Sequence, residues 1–179
     1  MNENLDKILI SQEQLEEIVS NVAEKINKDY NGEEVFLIVI LKGSIIFAAD
    51  LMRKLNMPVT IDFMKVSSYG SGTVSGKEIN VILDLKTDIK DKNVIIVEDI
   101  VDSGNTLYHL EKMLSQRNPK SLKLCTLLDK PERRETEVKP EYVGTEIPDE
   151  FVVGYGLDYD EKFRDLPYIG ILSRSVYEN

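Results

Sequence analysis

Residues 94–106 read VIIVEDIVDSGNT. An unbroken apolar run leads into three carboxylates, Glu98, Asp99 and Asp102, and then into a small polar turn. A run of this kind is typical of a strand covered on both faces. DSGNT can then turn directly into the helical pattern that runs from Thr106 to Gln116. Backbone N–H groups at that helix start, the positive end of its dipole, and the hydroxyls of Ser103 and Thr106 suit a phosphate. Gly104 permits a close approach that a side chain would block. The acids, however, should repel a phosphate, which leaves the question of what ligand wants an anion cradle and a cluster of acids side by side. A plain turn beside a solvated acidic cluster is the alternative, but acids bundled at the end of a buried strand are costly unless something uses them.

Working outward, the flanking segments follow the same alternation. SQEQLEEIVSNVAEKINKDY (11–30) carries Leu15, Ile18, Val19, Val22 and Ile26 at helical spacing. Ser11 and Gln14 make a capping box at its start, and Asn31–Gly32 end it. EEVFLIVIL (33–41) and PVTIDFMKV (58–66) read as strands around a helix from Ser44 to Leu55. A strand near Ile79–Leu83 precedes NVIIV, and SLKLCTLLD (121–129) is again a strand. Beyond it KPERRETEVKPEY is charged and loop-like, followed by short apolar pieces at YVGTEIP, FVVGYGL and YIGIL. No repeat or linker divides residues 1–179, so the expectation is a single α/β domain with a mainly parallel sheet flanked by helices, elaborated near the C-terminus.

Composition narrows the function. The 22 Lys and Arg against 32 Asp and Glu leave a net charge of −10, which argues against a nucleic-acid polymer as partner. It leaves room for a small phosphorylated ligand, since a few local cations or a metal ion can invert the local field. No apolar run approaches the ~20 residues that span a bilayer, and MNENLDKILI lacks a signal-peptide layout, so a cytoplasmic protein is expected. The single cysteine, Cys125, lies in the apolar LCTLL and reads as a buried structural thiol. His109, the lone histidine, reads as a half-exposed helix residue. GSGTVSG followed by Lys77 imitates a nucleotide-binding loop, but its spacing is wrong, residue 78 is Glu, and no helical pattern follows directly. Residues 67–77, SSYGSGTVSGK, read instead as a loop, either a lid that orders over substrate or an ordinary hairpin.

The acids, the short apolar step and D-S-G-N-T resemble the phosphoribosyl-diphosphate-binding motif of the phosphoribosyltransferases. Such a ligand has a 5′-phosphate for the turn, and ribose hydroxyls and a magnesium ion for the acids. The resemblance covers nearly the whole chain and narrows to the hypoxanthine-guanine, or 6-oxopurine, branch. LKGSIIFAADL resembles that branch's diphosphate loop, with Lys42 and Gly43 at its tip and the Leu41–Lys42 peptide cis. SSYGSG resembles its closing loop, with Ser68 and Tyr69 as the recognisable pair. LLDKPERR supplies Lys130, which by resemblance donates to the exocyclic O6 of the purine; Arg134 has a plausible counterpart of lower rank. FVVGYGLDYDEKFRDLPYIGIL supplies Phe151 to stack on the base, Val152 to meet the base edge through its backbone, Asp158 beside the magnesium and the 2-position, and Arg164 to grip diphosphate. An aromatic face suits a flat base, and a guanidinium suits a multidentate phosphate.

What the resemblance implies is a type I phosphoribosyltransferase fold with a small hood formed largely by the C-terminal segment. Magnesium is the implied cofactor, held by Glu98, Asp99 and Asp158. The phosphate and ribose would lie against Glu98, Asp99, Asp102, Ser103, Gly104, Asn105 and Thr106, with Asp102 as general base at purine N7. Asn105 stands where some relatives carry Lys, so no phosphate-contacting charge is expected there. The partners implied are phosphoribosyl diphosphate and a purine base, in a homodimer or homotetramer. The competing readings are a non-catalytic regulator of the same fold and a transferase for xanthine or a pyrimidine.

Overall fold

The computed structural model describes residues 4–68 and 79–177. A six-stranded sheet in the order β4-β3-β2-β5-β6-β7 forms its centre. Its strands are β2 (Val35–Ile40), β3 (Val59–Ser68), β4 (Ile79–Leu83), β5 (Asn93–Val101), β6 (Ser121–Asp129) and β7 (Tyr142–Glu146). All neighbours are parallel except β3 and β4, which are antiparallel. The helices α1 (Gln12–Tyr30) and α2 (Ile45–Lys54) cover one face, and α3 (Asn105–Ser115) covers the other.

This layering explains the unbroken apolar runs. In β2, Val35, Leu37 and Val39 enter the core shared with α1 and α2, while Phe36, Ile38 and Ile40 enter the core shared with α3. All six are buried, so a register slip of one residue exchanges two apolar sets and offers no polar face to solvent. Truncating Leu37, fully buried, should cost about 2–5 kcal/mol through lost transfer energy and a cavity. The capping box of α1 is present: Gln14 N donates to Ser11 Oγ at 3.2 Å, and Ser11 N donates to Gln14 Oε1 at 2.8 Å. Asn31 closes the helix in the left-handed conformation, at φ +46°. Cys125 is buried, and burial pushes its thiol pKa far up.

A second sheet of three antiparallel strands, in the order β1-β9-β8, forms the hood. It joins β1 (Leu5–Ile10), β8 (Val152–Val153) and β9 (Ile169–Leu172), with Leu5 opposite Leu172 and Ile10 opposite Ile169. The hood is formed largely by the C-terminal segment, which supplies β8 and β9, and the N-terminal β1 completes it. Two boundaries also move. Ser67 and Ser68, read as loop, complete β3, and α3 starts at Asn105, one residue early, because Gly104 takes the left-handed N-cap position at φ +81°. Residues 69–77, the rest of the expected closing loop, lie outside the described residues.

Candidate active site

The chain leaves β2 toward β3 on one side and later inserts β5 on the other, so the sheet's order reverses between β2 and β5. Crevices outside the carboxyl ends of parallel strands at such a point are where α/β sheets bind ligands. Two connections meet there, Leu41–Ser44 after β2 and Asp102–Gly104 after β5. They border a cavity of ≈ 300 Å³ lined by Leu41, Glu98, Asp99 and residues 102–107. The Leu41–Lys42 peptide is cis, as the resemblance implied. A larger cavity of ≈ 560 Å³ lies between α1, α2 and the hood, where Arg53, Lys54 and Arg164 alternate with Glu16, Asp50 and Asp165. Its mixed charge lacks the anion turn, which lines the smaller cavity.

Glu98 and Asp99 sit at the end of β5, partly buried, with no salt bridge to a cation among the described residues. Loss of hydration, and then the adjacent Asp99 charge, hold Glu98 well above the ordinary carboxylate range. Loss of hydration also raises Asp99, against the hydrogen bonds that favour its charge; one of these is Ile100 N donating to Asp99 Oδ1 at 2.7 Å. Two neighbouring acids in this state call for an external cation or for hydroxyl donors. The Asp99 carboxylate lies against Gly43: a Cβ there would stand 1.5 Å from Asp99 Oδ2.

The turn after β5 is braced from β6. Lys130 N donates to Val101 O at 2.9 Å, and Glu135 N donates to Ser103 O at 2.9 Å. Arg134 pairs with Asp129, and its Nε donates to Asp102 O at 3.2 Å. It acts as a brace behind the turn. Asn105 Nδ2 donates to Ser103 Oγ at 3.2 Å and to Glu135 Oε2 at 2.6 Å. The turn thus presents the Ser103–Thr106 backbone and hydroxyls with no cationic side chain of its own.

Asp102 faces a partner that the sequence did not suggest. Arg133 Nε stands 2.7 Å from Asp102 Oδ1, and Arg133 Nη1 donates to Asp149 Oδ1 at 3.2 Å. The Asp102 contact is electrostatic only, since that buried oxygen has no aligned hydrogen-bond donor among the described residues. Lys130 is buried and its Nζ donates to Glu150 O at 2.8 Å. Phe151, 38% exposed, stacks on Tyr177 with ring centroids 5.1 Å apart and meets Tyr159 edge-on. Val152 is buried in β8, beside that ring.

Above the diphosphate loop, Lys42 Nζ lies 2.9 Å from Glu161 Oε2. Arg164 reaches Asp158 Oδ1 at 2.9 Å and the same Glu161 oxygen at 3.2 Å, and donates to Gly156 O at 2.8 Å. A Cβ on Gly156 would stand 2.1 Å from Gly43 O, so the hood rests directly on the loop. Among the described residues no group of three or more His, Cys, Asp or Glu side chains could by itself hold a metal. Arg164 and Glu161 N both engage the Asp158 carboxylate. Glu98 and Asp99 remain together, which fits a magnesium ion that takes one or two carboxylates and completes its shell with substrate oxygens and water. Arg133, Asp149 and Glu161 are the site residues that sequence reading missed. Their spacing carries no signal, because each meets its partner only through the fold.

A family profile described as "Phosphoribosyl transferase domain" matches residues 8–160. The chain is 44% identical over 177 residues to the bifunctional protein TilS/HprT of Listeria monocytogenes, covering 99% of this chain and 27% of that protein's length. It is 45% identical over 179 residues to the hypoxanthine-guanine phosphoribosyltransferase of Staphylococcus aureus, covering 100% of both. Among solved structures, a hypoxanthine-guanine phosphoribosyltransferase of Bacillus anthracis superposes with a TM-score of 0.91 at 50% identity, covering 94% of this chain and 99% of that one.

Proposed function

Because the chain belongs to the phosphoribosyltransferase family, we propose that it is a purine salvage enzyme that makes the nucleoside monophosphates of hypoxanthine and guanine from phosphoribosyl diphosphate. The observation that carries this reading is the pair Glu98–Asp99 at the end of β5, set between the left-handed Gly104 turn and the Lys42–Gly43 loop. One site thus offers an anion cradle for the 5′-phosphate and acids for the ribose hydroxyls.

In the reaction the bond from ribose C1 to the diphosphate oxygen breaks, a bond from C1 to the purine nitrogen forms, and the purine loses a proton. Backbone donors at the start of α3, with Ser103 and Thr106, hold the 5′-phosphate. Lys42 and Arg164 draw on the leaving diphosphate, whose charge grows as C1 becomes oxocarbenium-like. Magnesium, held by Glu98 and Asp99, would supply further charge neutralisation on that leaving group. Asp102, at the turn after β5, takes the N7 proton once its 2.7 Å contact with Arg133 opens to admit the base. Lys130 donates to O6 and so acidifies that nitrogen. Phe151, backed by Tyr177, supplies the face on which the base stacks. Ser68 and Tyr69 belong to the segment that would close over the reacting carbon and exclude water.

The test is incubation with magnesium, phosphoribosyl diphosphate and each of hypoxanthine, guanine, xanthine and uracil, followed by ultraviolet absorbance. Nucleotide from hypoxanthine or guanine is expected. Product from uracil alone, or from no base at all, would refute the purine assignment. A cytoplasmic location and assembly into a homodimer or homotetramer are parts of the same proposal, testable by fractionation and by light scattering.

A further inference from the structure

We propose that Glu161 is a built-in counter-anion of the diphosphate subsite, holding Lys42 and Arg164 together until diphosphate displaces it. The inference rests on the proposed role of those two cations. One carboxylate oxygen, Glu161 Oε2, lies 2.9 Å from Lys42 Nζ and 3.2 Å from Arg164 Nη2. The two cations come from the β2–α2 loop and from the hood, and Glu161 is the anion that both contact. Its placement is preset by the backbone. Asp160 and Glu161 both take left-handed conformations, at φ +51° and +60°, and Glu161 N donates to Asp158 Oδ2 at 2.9 Å. Tyr159 and Lys162 close the turn on either side. Arg164 Nε is meanwhile buried and without an acceptor among the described residues, so the guanidinium keeps one donor free for a larger anion.

A monoanionic carboxylate shared by two cations is a weak stand-in for a diphosphate with several oxygens. Glu161 and Lys42 are 63% and 50% exposed at their side chains, so the contact is screened and yields readily. Its consequence is a competition: every diphosphate that binds must first break the Glu161 contacts, and the apparent affinity falls by the fraction of molecules in which they are closed. The same competition returns when the product leaves. Glu161 re-forms its contacts as diphosphate departs, and so favours release.

The experiment is calorimetric titration of inorganic diphosphate, with magnesium, into the full chain and into its Glu161→Gln and Glu161→Ala variants. Inosine monophosphate serves as a control ligand at the neighbouring subsite. Glu161→Gln keeps the side chain's size and removes its charge, so diphosphate should bind about three- to tenfold more tightly, with nucleotide binding unchanged. Product inhibition by diphosphate should strengthen by the same factor, and KM for phosphoribosyl diphosphate should fall while kcat stays level or drops. Equal or weaker diphosphate binding by Glu161→Gln, in a variant that still transfers phosphoribosyl groups, would overturn the role of Glu161 and leave the enzyme assignment standing. Failure of the unaltered protein both to bind diphosphate and to transfer would overturn the two together.

Discussion

Gly104→Ala tests the phosphate turn most directly. The backbone there stands at φ +81°, where a residue with a Cβ costs about 1–2 kcal/mol more than glycine. The new Cβ would lie 2.5 Å from Thr136 Oγ1 and 3.0 Å from Arg134 Cδ. The threonine hydroxyl can rotate away, giving up only a long 3.5 Å contact to Ser103 O. Arg134 cannot leave so easily, since it pairs with Asp129 and donates to Asp102 O at 3.2 Å. Moving it by a few tenths of an ångström adds about 1 kcal/mol, at the low end of overpacking costs. The total is about 2–3 kcal/mol, which for a chain of this size lowers Tm by roughly 4–12 °C. Circular dichroism melts of the ligand-free protein read that number. KM for phosphoribosyl diphosphate should rise about tenfold, because the same shift carries the turn's donors off the phosphate. Adding Thr136→Ala should recover less than half of the lost stability, since the strained φ and the Arg134 contact remain. A melting shift below about 1 °C, or full rescue by Thr136→Ala, would refute the account of this turn.

Other perturbations probe the rest of the site. Asp102→Asn should lower kcat by ~100-fold or more with substrate affinity kept, and near-normal turnover in a steady-state assay would remove Asp102 from the base role. Phe151→Ala should raise KM for hypoxanthine about tenfold with a smaller change in kcat, as loss of one stacking face predicts. For pH, the raised Glu98 and Asp99 mean that this pair binds more protons in the folded protein than in the unfolded chain above about pH 4.3. Stability of the ligand-free protein should therefore fall as pH rises from there through their raised folded-state values, and Glu98→Gln should flatten that slope. Urea unfolding at a series of pH values measures it, and an unchanged slope would place the pair in a more hydrated setting than described here.

Much of this protein was legible along the chain because its signals are local. The capping box at Ser11 and Gln14, the apolar run of β2, and the strand–turn–helix at 94–116 each depend on residues a few positions apart, where helix and strand periods and turn chemistry act directly. The acids beside a glycine bend marked a site, and their ligand class came from the resemblance of that stretch to the phosphoribosyl-diphosphate-binding motif. Tertiary structure decided the rest. The LDKILI strand finds its partner in the IGIL strand at the opposite end of the chain, and no local period encodes which edge a short strand joins. It also decided which charges meet: Arg133 reached Asp102, Arg164 paired with Asp158, and Glu161 came to lie between Lys42 and Arg164. A charged side chain takes its partner from whatever the fold brings within a few ångströms, and that neighbourhood is a property of the closed chain, not of any stretch of it.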